Sequence, residues 1–313
     1  MATNSDSSGV QVLYEASFRT QRGGRGIDYE VALAELLTVL EPVNLHVMRH
    51  HRPRMRVWLS VDPPEEDELS ARVQLLGYTH ALTRITRFAG KGTDETARVV
   101  GRVRVGDQRI GDDLLRYEPL WVADEGARRR SSPHRRPFEL DLGGDIKPVR
   151  SHRAHRRLST CDAKLLLNLT RTRPGQVLLD PYAGIGGIVI EAVARGIDVV
   201  CADLDALLRP GLHRLSAGRN MVADAAALPV RSGSVDVVVT EPSFDRHHRA
   251  SVLASIGELA RCLVPQGRLG ILLSEDMLPQ VSTEARRRGL RQEQSHILRR
   301  QKMISPLLVF VKA

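Results

Sequence analysis

Hydrophobic and polar positions follow different patterns in the two parts of the chain. In the first part, alternating apolar residues predict strands, and apolar residues spaced three and four apart predict helices. In chain order these are a strand at 11–19, a helix from Asp28 to Leu40, strands at 43–48 and 55–61, a helix at 65–76 and a strand at 80–87. The order strand, helix, strand, strand, helix, strand is typical of a small α+β module of the ferredoxin-like kind.

From residue 158 onwards, short apolar runs alternate with amphipathic segments. The amphipathic segments predict helices at 161–171, 187–195, 251–262 and 279–288. The apolar runs predict strands at 177–179, 199–202, 235–240, 268–273, 294–300 and 307–312. Such alternation predicts a parallel sheet covered on both faces, and the short connection between the last two strands makes that pair antiparallel. The predicted fold class is α/β, with a doubly wound, Rossmann-like, mostly parallel sheet of seven strands after a smaller α+β domain.

Composition limits the kind of protein this is. At 42% hydrophobic and 27% charged residues, the chain can bury an ordinary globular core. Its three cysteines lie far apart and form no CxxC pair, which predicts no disulfide framework and no metal site. The polar start and the lack of an 18-residue apolar run predict a cytoplasmic protein without a membrane segment.

Positive charge is concentrated where the two patterns meet. The net charge is +9, and residues 128–157 hold ten arginines and lysines against three acids. A local block of one sign favours a polyanionic partner such as RNA, although an arginine-rich surface that is merely solvated is the alternative. We place a domain boundary here, giving an RNA-binding region with a basic linker at 1–145 and a second domain at 146–313. The candidate RNA-binding residues are Arg128, Arg129, Arg130, Arg135, Arg136, Arg153 and Arg156.

A glycine turn after the first strand of the second domain predicts a ligand site. The strand at 177–179 leads into Asp180-Pro181-Tyr182-Ala183-Gly184-Ile185-Gly186-Gly187 and then into a helix. Glycine allows unusual φ angles and a close approach of ligand to backbone. The turn is not a dinucleotide fingerprint, because Val189 stands where that pattern needs a third glycine. The carboxylate of Asp180 would repel a pyrophosphate and instead suits a cationic ligand.

Two further acids follow the next strands. Asp203 ends the second strand, 23 residues after Asp180, and Asp224 follows the expected third strand. Acids at successive strand ends converge on the crevice in which open sheets bind ligands, with Asp203 placed for ribose hydroxyls. The expected cofactor-binding residues are Asp180, Tyr182, Ala183, Gly184, Gly186, Gly187, Asp203, Leu204, Asp224, Ala225 and Glu241.

The segment Thr240-Glu241-Pro242-Ser243-Phe244, directly after a β-branched strand, resembles the reaction loop of amino-directed methyltransferases. With the glycine turn and residues 223–229, the chain resembles the tRNA guanine-N2 methyltransferases, whose catalytic domain follows a THUMP-containing RNA-binding region. The resemblance implies S-adenosylmethionine as cofactor and RNA, especially tRNA, as partner. It also implies that Glu241 and the Pro242 carbonyl accept hydrogen bonds from the target amine while the ring of Phe244 stacks on the base. Positioning would dominate catalysis, with no metal required.

This loop departs from the family pattern at two positions. Glu241 replaces a shorter Asp or Asn, and Ser243 replaces a second proline. Three functions therefore stay open. The first is an RNA N-methyltransferase, with guanine N2 in tRNA as its target. The second is an RNA-binding protein that keeps the cofactor pocket but has weak or no activity, and the third is an N-methyltransferase of DNA or protein.

Overall fold

The computed structural model describes residues 12–19, 26–43, 45–61, 66–88, 98–100, 103–110, 113–123, 158–300 and 303–313. The chain divides into two compact units. The first comprises residues 1–22 and 29–124, and the second comprises residues 23–28 and 125–313.

In its described residues, the amino-terminal unit forms a seven-stranded antiparallel sheet with two helices. Its elements are β1 (Val12–Phe18), α1 (Tyr29–Leu40), β3 (Leu45–His51), β4 (Arg56–Val61), α2 (Glu66–Val73), β5 (Thr79–Phe88), β6 (Arg98–Val100), β7 (Val103–Ile110) and β8 (Asp113–Val122). The strand β2 (Gly26–Ile27) joins the second sheet instead. The strand order is β3-β4-β1-β5-β8-β7-β6. Its first four strands, with α1 and α2 between them, have the ferredoxin-like order, and β8 extends that sheet.

Helix α1 packs through its apolar side, and one buried acid on it is hydrogen-bonded to the backbone. The apolar side consists of Val31, Ala32, Leu33, Leu36, Val39 and Leu40, all buried. The carboxylate of Glu35, also buried, accepts hydrogen bonds from the amides of Gly77 at 2.9 Å and Tyr78 at 2.8 Å. Two amide donors offset much of the desolvation of a buried carboxylate, so this contact fixes α1 against the turn before β5.

The carboxy-terminal unit has the predicted doubly wound fold. Its elements are α3 (Thr160–Leu169), β9 (Val177–Asp180), α4 (Gly187–Val193), β10 (Asp198–Asp203), α5 (Arg209–Leu215), β11 (Asn220–Val222), β12 (Val235–Thr240), α6 (Arg249–Cys262), β13 (Leu263–Leu272), α7 (Leu278–Arg287), β14 (Leu290–Arg300) and β15 (Met303–Lys312). The strand order is β11-β10-β9-β12-β13-β15-β14-β2. The first five strands in that order are parallel, whereas β15, β14 and β2 pair antiparallel with their neighbours. The predicted seven strands are present, and the two-residue β2 adds an eighth that was not predicted.

The centre of this sheet is buried and places the candidate site. Strands β9 and β12 lie side by side, with Leu179 next to Val238 in register and both side chains fully buried. The chain runs outward from β9 in one direction to β11 and from β12 in the other to β13, so the strand order reverses between β9 and β12. The carboxyl ends of strands at such a reversal form a crevice for ligands. In the described part of the chain, no helix has both the length and the apolar character needed to cross a bilayer.

Candidate active site

Three glycines after β9 shape the turn into α4, for different reasons. Gly184 has a φ of +52°, and a Cβ added there would meet no atom within 4 Å. A Cβ on Gly186, at a φ of +81°, would lie 2.6 Å from Cδ1 of Leu215. A Cβ on Gly187 would lie 3.1 Å from Cβ of Leu158. Gly186 and Gly187 therefore permit close packing inside the protein, whereas Gly184 leaves open space above the turn.

Asp180 is a buried carboxylate at the end of β9, 1% exposed. Its Oδ1 accepts a hydrogen bond from the Thr240 hydroxyl at 2.9 Å and a long one from the Tyr182 amide at 3.4 Å. Burial raises the pKa of Asp180 to about 7 despite these two hydrogen bonds, and the charges of Asp203 and Glu241 add to the increase. The site therefore holds an excess of negative charge that a cation would relieve.

Asp203, the last residue of β10, holds the glycine turn by its side chain. Its Oδ2 accepts from the Gly184 amide at 2.8 Å, and its Oδ1 accepts from the Asp205 amide at 2.9 Å. Each carboxylate oxygen has a second lone pair, so these contacts leave acceptor capacity for ribose hydroxyls. The amide of Ala223 donates to the backbone carbonyl of Asp203 at 3.1 Å, which brings the residues after β11 to the same edge.

Asp224 lies exposed beyond β11, where its Oδ1 accepts from the Ala226 amide at 2.9 Å. Burial raises the pKa of Tyr182, and the charges of Asp224 and Asp203 raise it further. The charges of Asp203 and Asp224, which follow two different strands, therefore both act on Tyr182. Among the other candidates, Leu204 is 67% exposed, whereas Ala183 and Ala225 are buried.

The loop after β12 places Glu241 next to Thr240. Glu241 is largely buried, 18% exposed, and forms an ion pair with Arg300 at the end of β14. Pro242 is buried and Phe244 is half-buried. Ser243 is exposed, and its hydroxyl accepts from the Asp245 amide at 3.3 Å, so it forms the local turn that the missing proline would otherwise stiffen.

Arg300, Asp162 and Thr240 were not among the predicted site residues. Nε of Arg300 lies 3.2 Å from Oδ2 of Asp162, so one guanidinium contacts both Asp162 and Glu241. Arg300 and Glu241 are 59 residues apart, and no local motif marks their contact. A threonine at the end of a buried strand resembles any other strand residue, and only the pairing of β9 with β12 shows its role. The seven arginines predicted to bind RNA lie outside the described residues.

Comparison with known proteins supports the fold. Residues 179–271 match the family of methyltransferase domains. The carboxy-terminal unit therefore resembles class I methyltransferase domains in sequence and in fold. The predicted S-adenosylmethionine cofactor follows from this family.

Two curated relatives and one solved structure resemble the chain. It is 30% identical over 140 residues to a tRNA (guanine(10)-N2)-dimethyltransferase of Methanothermobacter thermautotrophicus, covering 43% of this chain and 38% of that protein. It is 32% identical over 130 residues to a demethylmenaquinone methyltransferase of Beutenbergia cavernae, covering 41% of this chain and 50% of that protein. The chain therefore spans half or less of the length of these relatives. The crystal structure of TrmN from Thermus thermophilus, at 18% identity and a TM-score of 0.52, covers 97% of this chain and 100% of its own, and supports the fold. These comparisons confirm that the chain is similar to tRNA guanine-N2 methyltransferases.

The residues of the methyltransferase domain fit S-adenosylmethionine. The donor carries a positive charge on sulfur, and the site carries Asp180 with Asp203 and Glu241 each within electrostatic reach of it. The space above Gly184 admits a ligand against bare backbone. Asp180 and Asp203 are the residues that would hold the cofactor.

Proposed function

We propose that this chain is an S-adenosylmethionine-dependent RNA methyltransferase that modifies an exocyclic base amine, with guanine N2 in tRNA as its target. The hydrogen bond between Thr240 and Asp180 carries this proposal. It joins the strand end that opens the reaction loop to the strand end of the cofactor site. Glu241, one residue further, is therefore within electrostatic reach of Asp180.

The proposed roles follow from this arrangement. S-adenosylmethionine supplies a methyl group attached to a cationic sulfur. The carboxylate of Glu241 and the carbonyl of Pro242 accept hydrogen bonds from the target amine and orient it. The half-buried ring of Phe244 offers a face on which the base stacks. Catalysis rests on positioning and on exclusion of water.

An exposed basic strand in the amino-terminal unit supports an RNA partner. Residues 45–54 hold three arginines, three histidines and no acid. In this segment β3 forms the outer strand of the described sheet, and Arg49, His50 and the following Arg52 are exposed. Arg52 pairs with the exposed Glu30 at 2.8 Å, in a contact that water screens. Exposed arginines on this strand and in the turn directly after it match the phosphates of a nucleic acid.

Transfer of tritium from labelled S-adenosylmethionine into total tRNA, followed by nucleoside analysis, tests the proposal. We expect the label in N2-methylated guanosine. Glu241→Ala should keep its cofactor affinity and lose at least about ten-fold in kcat/KM, or roughly 1.4 kcal/mol of transition-state stabilisation. Glu293→Ala is the matched control, because Glu293 is also paired with an arginine, Arg268, at 2.9 Å.

The same assay separates the alternatives. RNA binding without transfer would favour a non-catalytic RNA-binding protein. Label in DNA or protein but not in RNA would show that the substrate is DNA or protein and not RNA. Full activity of the Glu241→Ala variant would remove the role given to this residue.

A further inference from the structure

We propose that Arg300 is a positioning residue that fixes the orientation of the Glu241 carboxylate in the reaction loop. This role rests on the proposed function, because it acts through the residue that would receive the target amine. Arg300 is the last residue of β14, far from the motifs that indicate a methyltransferase.

The contacts of Arg300 link a fixed helix to the acidic side chain of the loop. Nη1 of Arg300 donates to Oε1 of Glu241, and Nε lies 3.2 Å from Oδ2 of Asp162. The three side chains are 23%, 18% and 6% exposed, for Arg300, Glu241 and Asp162 respectively. Such partial burial strengthens charge-assisted hydrogen bonds relative to those at an open surface.

Asp162 provides the fixed end of this link. It lies in the first turn of α3, and its amide donates to the Ser159 hydroxyl at 3.1 Å, the capping bond of the helix. The positive end of the helix dipole favours a charged carboxylate at this position. The backbone of Arg300 is also held, since Arg300 pairs with Met303 of β15 in register.

The length of Glu241 explains why such an anchor is needed. The resemblance implies Asp or Asn at this place, and glutamate adds one methylene and one rotatable bond. Each additional rotatable bond lets the carboxylate oxygens occupy several positions, and fixing it costs side-chain entropy when the amine binds. A planar guanidinium that holds one carboxylate oxygen removes this freedom before the substrate arrives. Arg300 therefore compensates for the longer acceptor.

Steady-state methylation of tRNA by purified full-length variants tests this role. Arg300→Ala should lower kcat at least ten-fold and leave the dissociation constant of S-adenosylmethionine within two-fold of the wild type. Arg300→Lys should recover part of kcat, since it keeps the charge and loses the planar fork. Arg299→Ala is the control, because the exposed Arg299 precedes Arg300 on the same strand and should leave kcat unchanged.

A double-mutant cycle with Glu241→Ala separates positioning from a structural role. If Arg300 acts through Glu241, Arg300→Ala should cause almost no further loss in the Glu241→Ala background. The proposal would be overturned if the losses in kcat of the two single variants multiplied in the double variant, or if kcat were unchanged in Arg300→Ala. Either result would leave the proposed function in place. An inactive wild type would instead remove the proposed function and this role with it. Thermal unfolding shows whether Arg300→Ala folds. If it does not, the same cycle with Arg300→Lys in place of Arg300→Ala tests whether Arg300 acts through Glu241.

Discussion

The hydroxyl of Thr240 donates a hydrogen bond to the carboxylate of Asp180 across 2.9 Å, and both residues are almost completely buried. The bond joins the ends of the two central parallel strands, β9 and β12, at the point where the strand order reverses. One of these strands leads into the glycine turn at 181–187 and the other into the loop that begins at Glu241. A change in the protonation of Asp180 therefore affects both the glycine turn and the loop after β12.

Asp180 should make the ligand-free protein less stable as the pH rises. Burial raises the pKa of Asp180 to about 7 from 3.8, so between these values the folded protein keeps a proton that the unfolded chain has released. The free energy of unfolding should fall through this range by up to roughly 1.4 kcal/mol per pH unit. Asp180→Asn should flatten this slope in urea unfolding measured from pH 5 to 8. The exposed Asp198, paired with Arg219, gives the control Asp198→Asn, and an equal slope in wild type and Asp180→Asn would contradict the assignment.

Binding of S-adenosylmethionine should release a proton below about pH 7. A cationic ligand favours ionised Asp180, so its affinity should increase with pH until the pKa of that carboxyl is passed. Thr240→Val should move this rise to higher pH, because the hydroxyl hydrogen bond lowers the pKa of Asp180. Thr240→Ser keeps the hydroxyl and is the control. Calorimetry in buffers of different ionisation enthalpy measures the proton release, and a pH-independent affinity would rule out this coupling.

Gly184→Ala should weaken cofactor binding more than it weakens the fold. The substitution places a side chain at a φ of +52°, at a cost of about 1–2 kcal/mol, and directs a methyl group into the open space above the turn. Gly196→Ala is a matched control, since Gly196 has a φ of +70° and equally open surroundings outside the site. Thermal unfolding should show similar losses for both, whereas titration with S-adenosylmethionine should show weaker binding for Gly184→Ala alone. Equal affinities in the two variants would show that the space above Gly184 does not receive the cofactor.

Charge reversal at Arg49 of β3 and at Arg52 in the turn after it should weaken RNA binding and reduce its dependence on salt. Each arginine–phosphate pair that the substitutions remove should lower the slope of log K against log salt by roughly 0.7–0.9. The double variant Arg49→Glu with Arg52→Glu tests this in filter binding at several salt concentrations. Arg286→Glu with Arg287→Glu reverses two exposed arginines at the end of α7 and serves as the control. An equal decrease in affinity for both double variants would indicate a general effect of net charge.

Much of the methyltransferase fold was predictable because its strands are short apolar runs and its helices are amphipathic. The positions of Asp180, Asp203 and Asp224 after strands of one parallel sheet were predictable because each follows such a run, whereas their role in cofactor binding stays a prediction. Helix α5 was missed because its seven residues contain Pro210 and Gly211, two residues that normally interrupt helices. Strand β14 begins at Leu290, earlier than predicted, because a register shift between Gln292 and Gln294 breaks the alternation.

The contacts of the reaction loop required the structure. Glu241 was identified from its neighbours in sequence, but its ion pair with Arg300 depends on how β14 returns across the sheet. A contact between residues so distant in sequence leaves no periodic or compositional trace. Strand β3 was predicted over residues 43–48 and in the structure continues to His51, and only the structure shows that Arg49 lies on an edge strand, with the exposed Arg52 in the turn after it.

Strand β2 makes the methyltransferase domain discontinuous along the chain. Ile27 and Gly26 pair with Leu298 and Arg299, immediately before the guanidinium that holds Glu241. A gene fragment beginning at residue 125 would lack this outer strand and would leave backbone groups of β14 open to pairing with other molecules. Dissection of the two units by truncation would therefore disturb the neighbourhood of Arg300, and point substitutions in the whole chain are the sounder route.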